Sequence, residues 1–458
     1  MSKRYDALVV GSGTAGQTAA YQLNRNGFSV GLVEHSDRPG GTCALSGCQA
    51  KKWFYEGTEA VARSRHLSGI GITSPAIADW SALRDAKNRF TASVPSKTVS
   101  GLKKAGIDFI PGQARFTGPQ SVAVGREELT ARFIVLAVGA VPMSLPIDGS
   151  DHIISSSEFM ELDRLPSRIV FIGGGFISFE FAHFAARLGP SDIHCIILEV
   201  ASRPLGPFDE QMVALLSAAS AEAGIDIHTN VGILGIEKTD RAFRITTEGG
   251  RRFEADLVVH GAGRAPNIDA LELDSAGIEA TKRGITVNEK MATSNPYVYA
   301  VGDCADTLQL ARVADAEAET AANNIVSLSN GDNPGAVMDY SAVPTVLFTY
   351  PQYGMVGATE DALKKEGASY EKSCEDHLDW PTYTRVGIAH AAYKVLAGED
   401  GKILGAHILS DNAAGLINAF SLAMHNGLSA ETLYRQSIMT PYPSRESDII
   451  YMLRPLVF

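Results

Sequence analysis

The sequence predicts an α/β protein: two dinucleotide-binding three-layer domains followed by a C-terminal α+β domain. Three features of its 458 residues carry that expectation. Short Val- and Ile-rich runs alternate with longer stretches of helical periodicity, the rhythm of parallel sheets covered by helices. A glycine-rich turn between such a strand and such a helix occurs twice. From about Asn333 the texture changes to hairpin signals, such as Glu399-Asp400-Gly401 between strand-like runs, and then to amphipathic helices.

In chain order, Ala7 to Val10 reads as a strand leading into Gly11-Ser12-Gly13-Thr14-Ala15-Gly16 and a helix to about Asn26. A second strand, Ser29 to Val33, ends at Glu34. The same unit returns at Arg168 to Ile172, followed by Gly173-Gly174-Gly175-Phe176-Ile177-Ser178, a helix to about Leu188, and a strand from Ile193 to Leu198 ending at Glu199. Each turn suits a pyrophosphate, which sits on backbone N–H groups at a helix amino terminus while glycines allow close approach. The acid ending the second strand accepts hydrogen bonds from ribose hydroxyls. One such turn is weak evidence; two, each with an acid at the expected distance, are specific. Phe133 to Gly139 and Leu257 to Gly263 read as further strands ending in small-residue turns. Tyr297 to Asp303 is another, ending in Gly302-Asp303 before an alanine-rich helix from Leu310 to Leu328.

Composition excludes several classes. Forty basic against 52 acidic residues give a net charge of −12, with no basic stripe for nucleic acid or an anionic membrane. No run of about 18 apolar residues predicts a spanning helix, and Met1 to Asp6 enters a strand without a leader, so the expected location is cytoplasmic. Five cysteines are too few for a disulfide framework. Cys195 and Cys304 read as buried, and Cys374 is left open.

The stretch Gly40-Gly41-Thr42-Cys43-Ala44-Leu45-Ser46-Gly47-Cys48-Gln49-Ala50-Lys51-Lys52 is the most informative. A Cys-x4-Cys pair reads as buried thiols, half a zinc site or a redox pair. Zinc is disfavoured because no further ligands follow at suitable spacing. In a regular helix the two Cα atoms would be about 8.6 Å apart, beyond the ~7 Å reach of a disulfide. A bridge therefore requires a distorted turn, which Gly47 can supply, and such a bridge would be reducible.

Here the sequence resembles the pyridine nucleotide–disulfide oxidoreductases, flavoproteins that include dihydrolipoyl dehydrogenase, glutathione reductase and mercuric reductase. The resemblance covers essentially the whole chain. It implies FAD on the first module, with contacts from Gly11, Ser12, Gly13, Thr14, Ala15, Gly16 and Glu34. Gly41, Thr42, Lys51, Lys52, Ala114, Ala137, Gly139, Gly302 and Asp303 complete that implied set. A nicotinamide nucleotide is implied on the second module, at Gly173, Gly175, Phe176, Ile177, Glu180, Glu199 and Gly263. Phe176 takes the place of a gating Tyr, and Glu180 that of a Glu paired with a flavin-side Lys, here Lys52. The implied division is FAD-binding over 1–150 and 266–338, NAD(P)-binding over 151–265, and dimerisation over 339–458, with the active site at a homodimer interface. NAD(P)H would reduce the flavin, the flavin would reduce a Cys43–Cys48 disulfide through Cys48, and Cys43 would attack the substrate. Glu199 favours NADH over NADPH, whose 2′-phosphate it would repel, while Arg203 is placed to offer a phosphate contact instead.

One part of the family pattern is missing. Its disulfide reductases carry a C-terminal His-Pro-Thr with a Glu five residues after the His, but no His follows His425 here. Tyr442-Pro443-Ser444 aligns best, putting Ser447 at the Glu position and making Tyr442 the expected acid. Three functions remain open: reduction of a small disulfide or oxidation of a thiol; reduction of a metal ion or organic electrophile captured by Cys43, including carbon–sulfur cleavage or carboxylation; or non-catalytic redox sensing.

Overall fold

The computed structural model describes residues 3–458. The chain divides into two compact units, the first made of Met1–Lys52, Asp85–Met143 and Arg264–Asp339, the second of Trp53–Arg84, Ser144–Gly263 and Tyr340–Phe458.

The first unit is built on strands β1 (Lys3–Val10), β2 (Val30–Glu34), β3 (Asp108–Pro111), β4 (Ala114–Gly118), β5 (Ser121–Val124) and β6 (Glu127–Leu136). They lie in the order β3-β2-β1-β6-β5-β4, with Val298–Ala300 also pairing with β6. The β3-β2-β1-β6 portion is parallel, and β6-β5-β4 is an antiparallel meander. Helix α1 (Thr14–Arg25) buries Ala15, Gly16, Ala19, Ala20 and Leu23 against one sheet face. Small alanines let helix Ala311–Ser329 pack into the same cluster through Ala314, Ala318, Ala321 and Ala322. After β2 come the short helix α2 (Gly41–Leu45) and the long helix α3 (Cys48–His66).

Two strands differ from expectation. The run read over 133–139 as a strand ending in a small-residue turn begins earlier, at Glu127, and gives way to that turn after Leu136, with Gly139 at a left-handed φ of 68°. The run predicted over 297–303 holds only three strand residues before a 3₁₀ turn, Gly302–Cys304, where Gly302 has φ 69° and donates its N–H to buried Glu317 at 2.6 Å.

The second unit holds strands β7 (Arg168–Ile172), β8 (His194–Leu198), β9 (Ile225–His228) and β10 (Leu257–His260), all parallel in the order β9-β8-β7-β10. Helix α4 (Phe176–Leu188) follows β7, and α5 (Glu210–Glu222) precedes β9. A further antiparallel sheet comprises β11 (Thr345–Leu347), β12 (Gln352–Gly357), β13 (Glu371–Glu375), β14 (Ala392–Ala397) and β15 (Ile403–Ser410), ordered β11-β12-β15-β14-β13. The expected hairpin at Glu399-Asp400-Gly401 joins β14 to β15, with Gly401 at φ 72° at its tip.

A buried ion network pins α5 to this sheet. Asp209 caps α5 by accepting the Met212 N–H at 3.2 Å, and the same carboxylate accepts from Lys394 Nζ on β14 at 2.8 and 3.0 Å. Lys394 also donates to Glu360 at 2.7 Å, and all three side chains are buried. Burial alone would raise the carboxyl pKa values, but hydrogen bonds from Lys394, joined at Glu360 by Lys372, Lys364 and Tyr370, hold Asp209 and Glu360 below the usual range.

Among the described residues no helix is long and apolar enough to cross a membrane.

Candidate active site

The two glycine turns are built alike. Gly11 has φ 110°, and a Cβ there would lie 2.2 Å from the Ala137 carbonyl oxygen; Gly173 has φ 92°, and a Cβ would lie 2.4 Å from Ala262 Cα. Only glycine satisfies either position. In each module the acid ending the second strand ties down the turn. Glu34 accepts the Ser12 N–H at 2.8 Å and the Ser36 N–H at 2.7 Å, and Glu199 accepts the Gly174 N–H and, at 2.7 Å, the Ala201 N–H. The Ser12 hydroxyl adds a bridge, donating to Glu34 at 2.6 Å while accepting the Gly40 N–H at 2.9 Å. This brings Gly41 against Gly13 so closely that a Gly41 Cβ would sit 2.4 Å from Gly13 Cα.

Helices α1 and α4 begin at Gly13 and Gly175 with no side-chain cap and no acid in the first turn, whereas α5 carries its own Asp209 cap. The uncapped N–H groups are the acceptor-seeking donors that a pyrophosphate satisfies, so both turns fit a dinucleotide. Around the first turn, Gly139 and Gly302 have left-handed φ, Ala137 and Ala114 are buried, and Asp303 follows Gly302. Burial pushes the Asp303 carboxyl up, opposed by the charge of half-buried Arg264, which donates to the Ala140 carbonyl. Sequence reading missed Arg264; its position one residue after Gly263, at the head of a short strand, was the available signal. Around the second turn, Gly263 has φ 108°, Phe176 is exposed, Ile177 is half-buried, and buried Glu180 accepts the Phe348 N–H at 2.9 Å. Arg203 donates to the carbonyls of Phe208 at 2.9 Å and Gly206 at 2.6 Å, so its guanidinium is engaged in its own loop.

The cysteine stretch breaks the helix between the two sulfurs. α2 ends at Leu45, capped by Ser46 with φ −148° and ψ 13°, and Cys48 is the first residue of α3. Gly47 is required for space rather than for a left-handed turn, because a Cβ would meet the Thr42 oxygen at 2.9 Å and Cys43 Cα at 3.3 Å. The two residues stand as thiols, Cys43 half-buried and Cys48 exposed. The hydrogen bond with Cys48, then burial, then the charges of Cys48 and Asp315 hold the Cys43 thiol well above its ordinary pKa; Arg312 acts in the opposite direction. Cys48 sits at the amino end of a 19-residue helix, where the macrodipole favours a thiolate, and Lys52 follows one turn later on the same face. Thr42 is exposed, and Lys51 and Lys52 are half-buried.

A cavity of about 490 Å³ opens beside Cys43, lined among others by Thr14, Thr18, Tyr21, Gly40 and Ala44. Asp315, also missed from sequence, accepts hydrogen bonds from Thr14 and from Thr18 at 3.5 Å, and pairs with Arg312 at 2.9 Å. Cys195 and Cys304 are fully buried, which raises their pKa values to about 12 and about 11 and leaves them inert. Among the described residues no group of three or more His, Cys, Asp or Glu is placed to hold a metal ion.

At the C-terminal end, Tyr442 is 75% exposed and has no hydrogen-bond partner among the described residues. Ser447, the residue at the Glu position, is spent on Ser444, donating to its carbonyl at 2.7 Å and accepting its N–H at 3.1 Å. Glu446 accepts from Asn412 at 2.7 Å and Asp448 from Thr382, so neither neighbouring carboxylate is paired with Tyr442. Arg445 grips Asp411 through two nitrogens at 2.7 and 3.1 Å.

Comparison with known proteins bears on this arrangement. A family model described as pyridine nucleotide-disulphide oxidoreductase matches residues 5–318, and one described as the dimerisation domain of the same class matches residues 343–448. The chain is 31% identical to mercuric reductase from Staphylococcus aureus, over 94% of this chain and 78% of that protein. It is 30% identical to dihydrolipoyl dehydrogenase from Haloferax volcanii, over 93% and 91%, and 29% identical to glutathione reductase from Schizosaccharomyces pombe, over 99% of each. The solved Cu(II) complex of the HOCl-induced flavoprotein disulfide reductase from Escherichia coli is similar at a TM-score of 0.88 and 25% identity, covering 99% of this chain and 100% of that one.

Proposed function

The chain belongs to the pyridine nucleotide-disulphide oxidoreductases, flavin-dependent enzymes that draw on NAD(P)H and act on sulfur, and from that premise we propose that it is an NADH-linked reductase of a small-molecule disulfide. The observation that carries the reading is the hydrogen-bonded pair of Cys43, beside a cavity, and Cys48, at the head of α3. We assign FAD to the first glycine turn with Glu34, Arg264 and Asp303, the nicotinamide nucleotide to the second with Glu199, and the domain bounds to 1–150 with 266–338, 151–265 and 339–458. When bound, FAD supplies a two-electron relay between the nicotinamide and the sulfur pair.

The chain's own residues supply the rest. The Cys43 thiol gives up its proton as its sulfur attacks one sulfur of the substrate disulfide; that S–S bond breaks, the proton passes to the departing sulfur, which leaves as a thiol, and a mixed disulfide remains on Cys43. Cys48, held as a thiolate by the helix dipole and Lys52, then attacks the Cys43 sulfur, closes the Cys43–Cys48 bond and releases the second sulfur as a thiolate, which solvent protonates. Glu180, buried on α4, keeps its place through the Phe348 N–H. The dimerisation domain supports a homodimer, with Tyr442 acting across to the partner's sulfur pair. Tyr442→Phe is expected to lower disulfide turnover about tenfold, less than the ~10²–10⁴ of a well-matched acid–base group, with NADH-driven quinone reduction unchanged. Unaltered disulfide turnover would remove Tyr442 from the acid's role.

Nicotinamide preference follows from Glu199, which repels a 2′-phosphate, and from Arg203, whose guanidinium is already bonded. Initial rates should give kcat/KM for NADH roughly tenfold or more above NADPH, about 1.4 kcal/mol. A preference for NADPH would overturn this assignment.

The absence of any His beyond His425 favours a second reading, capture and reduction of a soft metal ion by the two thiols, which the likeness to mercuric reductase also supports. NADH oxidation screened against disulfides, Hg(II) and Cu(II) separates the two. Turnover with the metals and with no disulfide would favour the second.

A further inference from the structure

The carboxyl ends of three helices lie around a separate cavity of about 240 Å³ within the second unit, to which the part of α3 from Trp53 onward belongs. α3 brings Arg65 and His66, α4 brings Arg187, α5 brings Glu222, and Tyr350 and His390 close it. None of these residues belongs to the glycine turns or the cysteine stretch.

Arg187 is the unusual member. Its Nη1 donates to His183, at 3.1 Å to Nδ1 and 3.4 Å to the carbonyl, and its Nη2 donates to the Tyr350 carbonyl at 2.8 Å. That leaves Nε–H and one Nη2 proton without an acceptor among the described residues, and Arg187 pairs with no carboxylate there. Burial, together with the charge of Arg65, pulls its pKa down to about 10. Arg65, at the mouth, also has no carboxylate partner among the described residues. Helix carboxyl ends offer partial negative charge, and the His183 carbonyl supplies some of it, yet guanidinium donors remain unspent. The one acid in the lining, Glu222, is held 2.7 Å from His390 Nε2. A half-buried guanidinium without a counter-charge is short of acceptors, and the planar fork of arginine matches oxyanions in a bidentate way.

We propose that this cavity is a binding site for a small oxyanion of the phosphate type, free or as the phosphoryl group of a small metabolite. Two oxyanion oxygens accept the unspent donors of Arg187, and Arg65 closes over the anion from the mouth. Glu222 limits affinity and keeps His390 turned toward itself.

Calorimetric titration of the holoenzyme in a chloride buffer, with inorganic phosphate and then sulfate as probes, tests this. One saturable site per chain is expected. Arg65→Gln should weaken binding about tenfold and Glu222→Gln should tighten it several-fold, with flavin content and NADH-driven turnover unchanged in both. Arg187→Gln should abolish the site, but the two rim variants decide the matter even where that chain fails to fold. Heats that do not saturate, or that ignore both rim substitutions, would overturn the proposal. Binding of acetate in preference to phosphate and sulfate would overturn its chemical class.

Discussion

Cys43→Ser is expected to lower NADH-driven disulfide reduction by at least ~10³-fold while leaving quinone reduction largely intact. A serine hydroxyl is not ionised at neutral pH and cannot form a mixed disulfide, so the path to the substrate ends at the protein. Quinones accept electrons without sulfur exchange and need no Cys43. Flavin content, read from the visible absorbance of the purified protein, should match the parent, because Cys43 lies in the short α2 helix and contributes no buried core side chain. If disulfide turnover survives, the thiol that meets substrate is not Cys43. Equal loss of both activities would place Cys43 in the flavin site instead.

The second large effect concerns stability. Lys394→Met leaves Asp209 and Glu360 as neighbouring buried carboxylates without their shared cation, at an expected cost of about 3–5 kcal/mol in urea unfolding. The pH dependence follows from the sign of the shifts. In the parent both carboxyl groups titrate below their unfolded values, so their contribution is present at neutral pH and fades as pH falls through the folded values. In the variant, Asp209 loses Lys394 and its burial raises the folded pKa, whereas Glu360 keeps Lys364, Lys372 and Tyr370 and shifts less, so protonation, chiefly of Asp209, relieves the variant as pH falls. The gap between the two proteins should therefore be widest near pH 7 and narrow toward pH 4. A constant gap would mean that lost packing of the lysine stem, rather than charge, sets the cost. Replacing all three residues together with Asp209→Asn, Glu360→Gln and Lys394→Met should restore much of the loss, since no unpaired charge is then buried.

What could be seen in the sequence was what a short segment imposes on itself. Gly11 and Gly173 announce their turns because only glycine fits, and Glu34 and Glu199 end strands whose hydrophobic runs are plain. The cysteine pair was legible for the same reason, although the role of Gly47 was misjudged: the need is for room beside Thr42 and Cys43, which spacing alone does not reveal. Asp315, Arg264 and the Asp209–Lys394–Glu360 network were invisible because each acts through partners far along the chain, 301 residues for Thr14 with Asp315 and 185 for Lys394 with Asp209. Exposed charge and buried charge look identical in a sequence until the fold decides which is which. Cys195 and Cys304, by contrast, were read as buried from their strand-like surroundings, and they are.

The missing caps on α1 and α4 have a further consequence, in supply rather than chemistry. A ligand that binds only the folded chain adds RT ln(1 + [L]/Kd) to its stability, about 2.7 kcal/mol at a hundredfold excess over Kd. Two helix starts that depend on a visiting phosphate for their hydrogen bonds thus make the amount of folded protein answer to the availability of its nucleotides. A cell short of flavin would hold less of this protein, before any question of how fast each copy works.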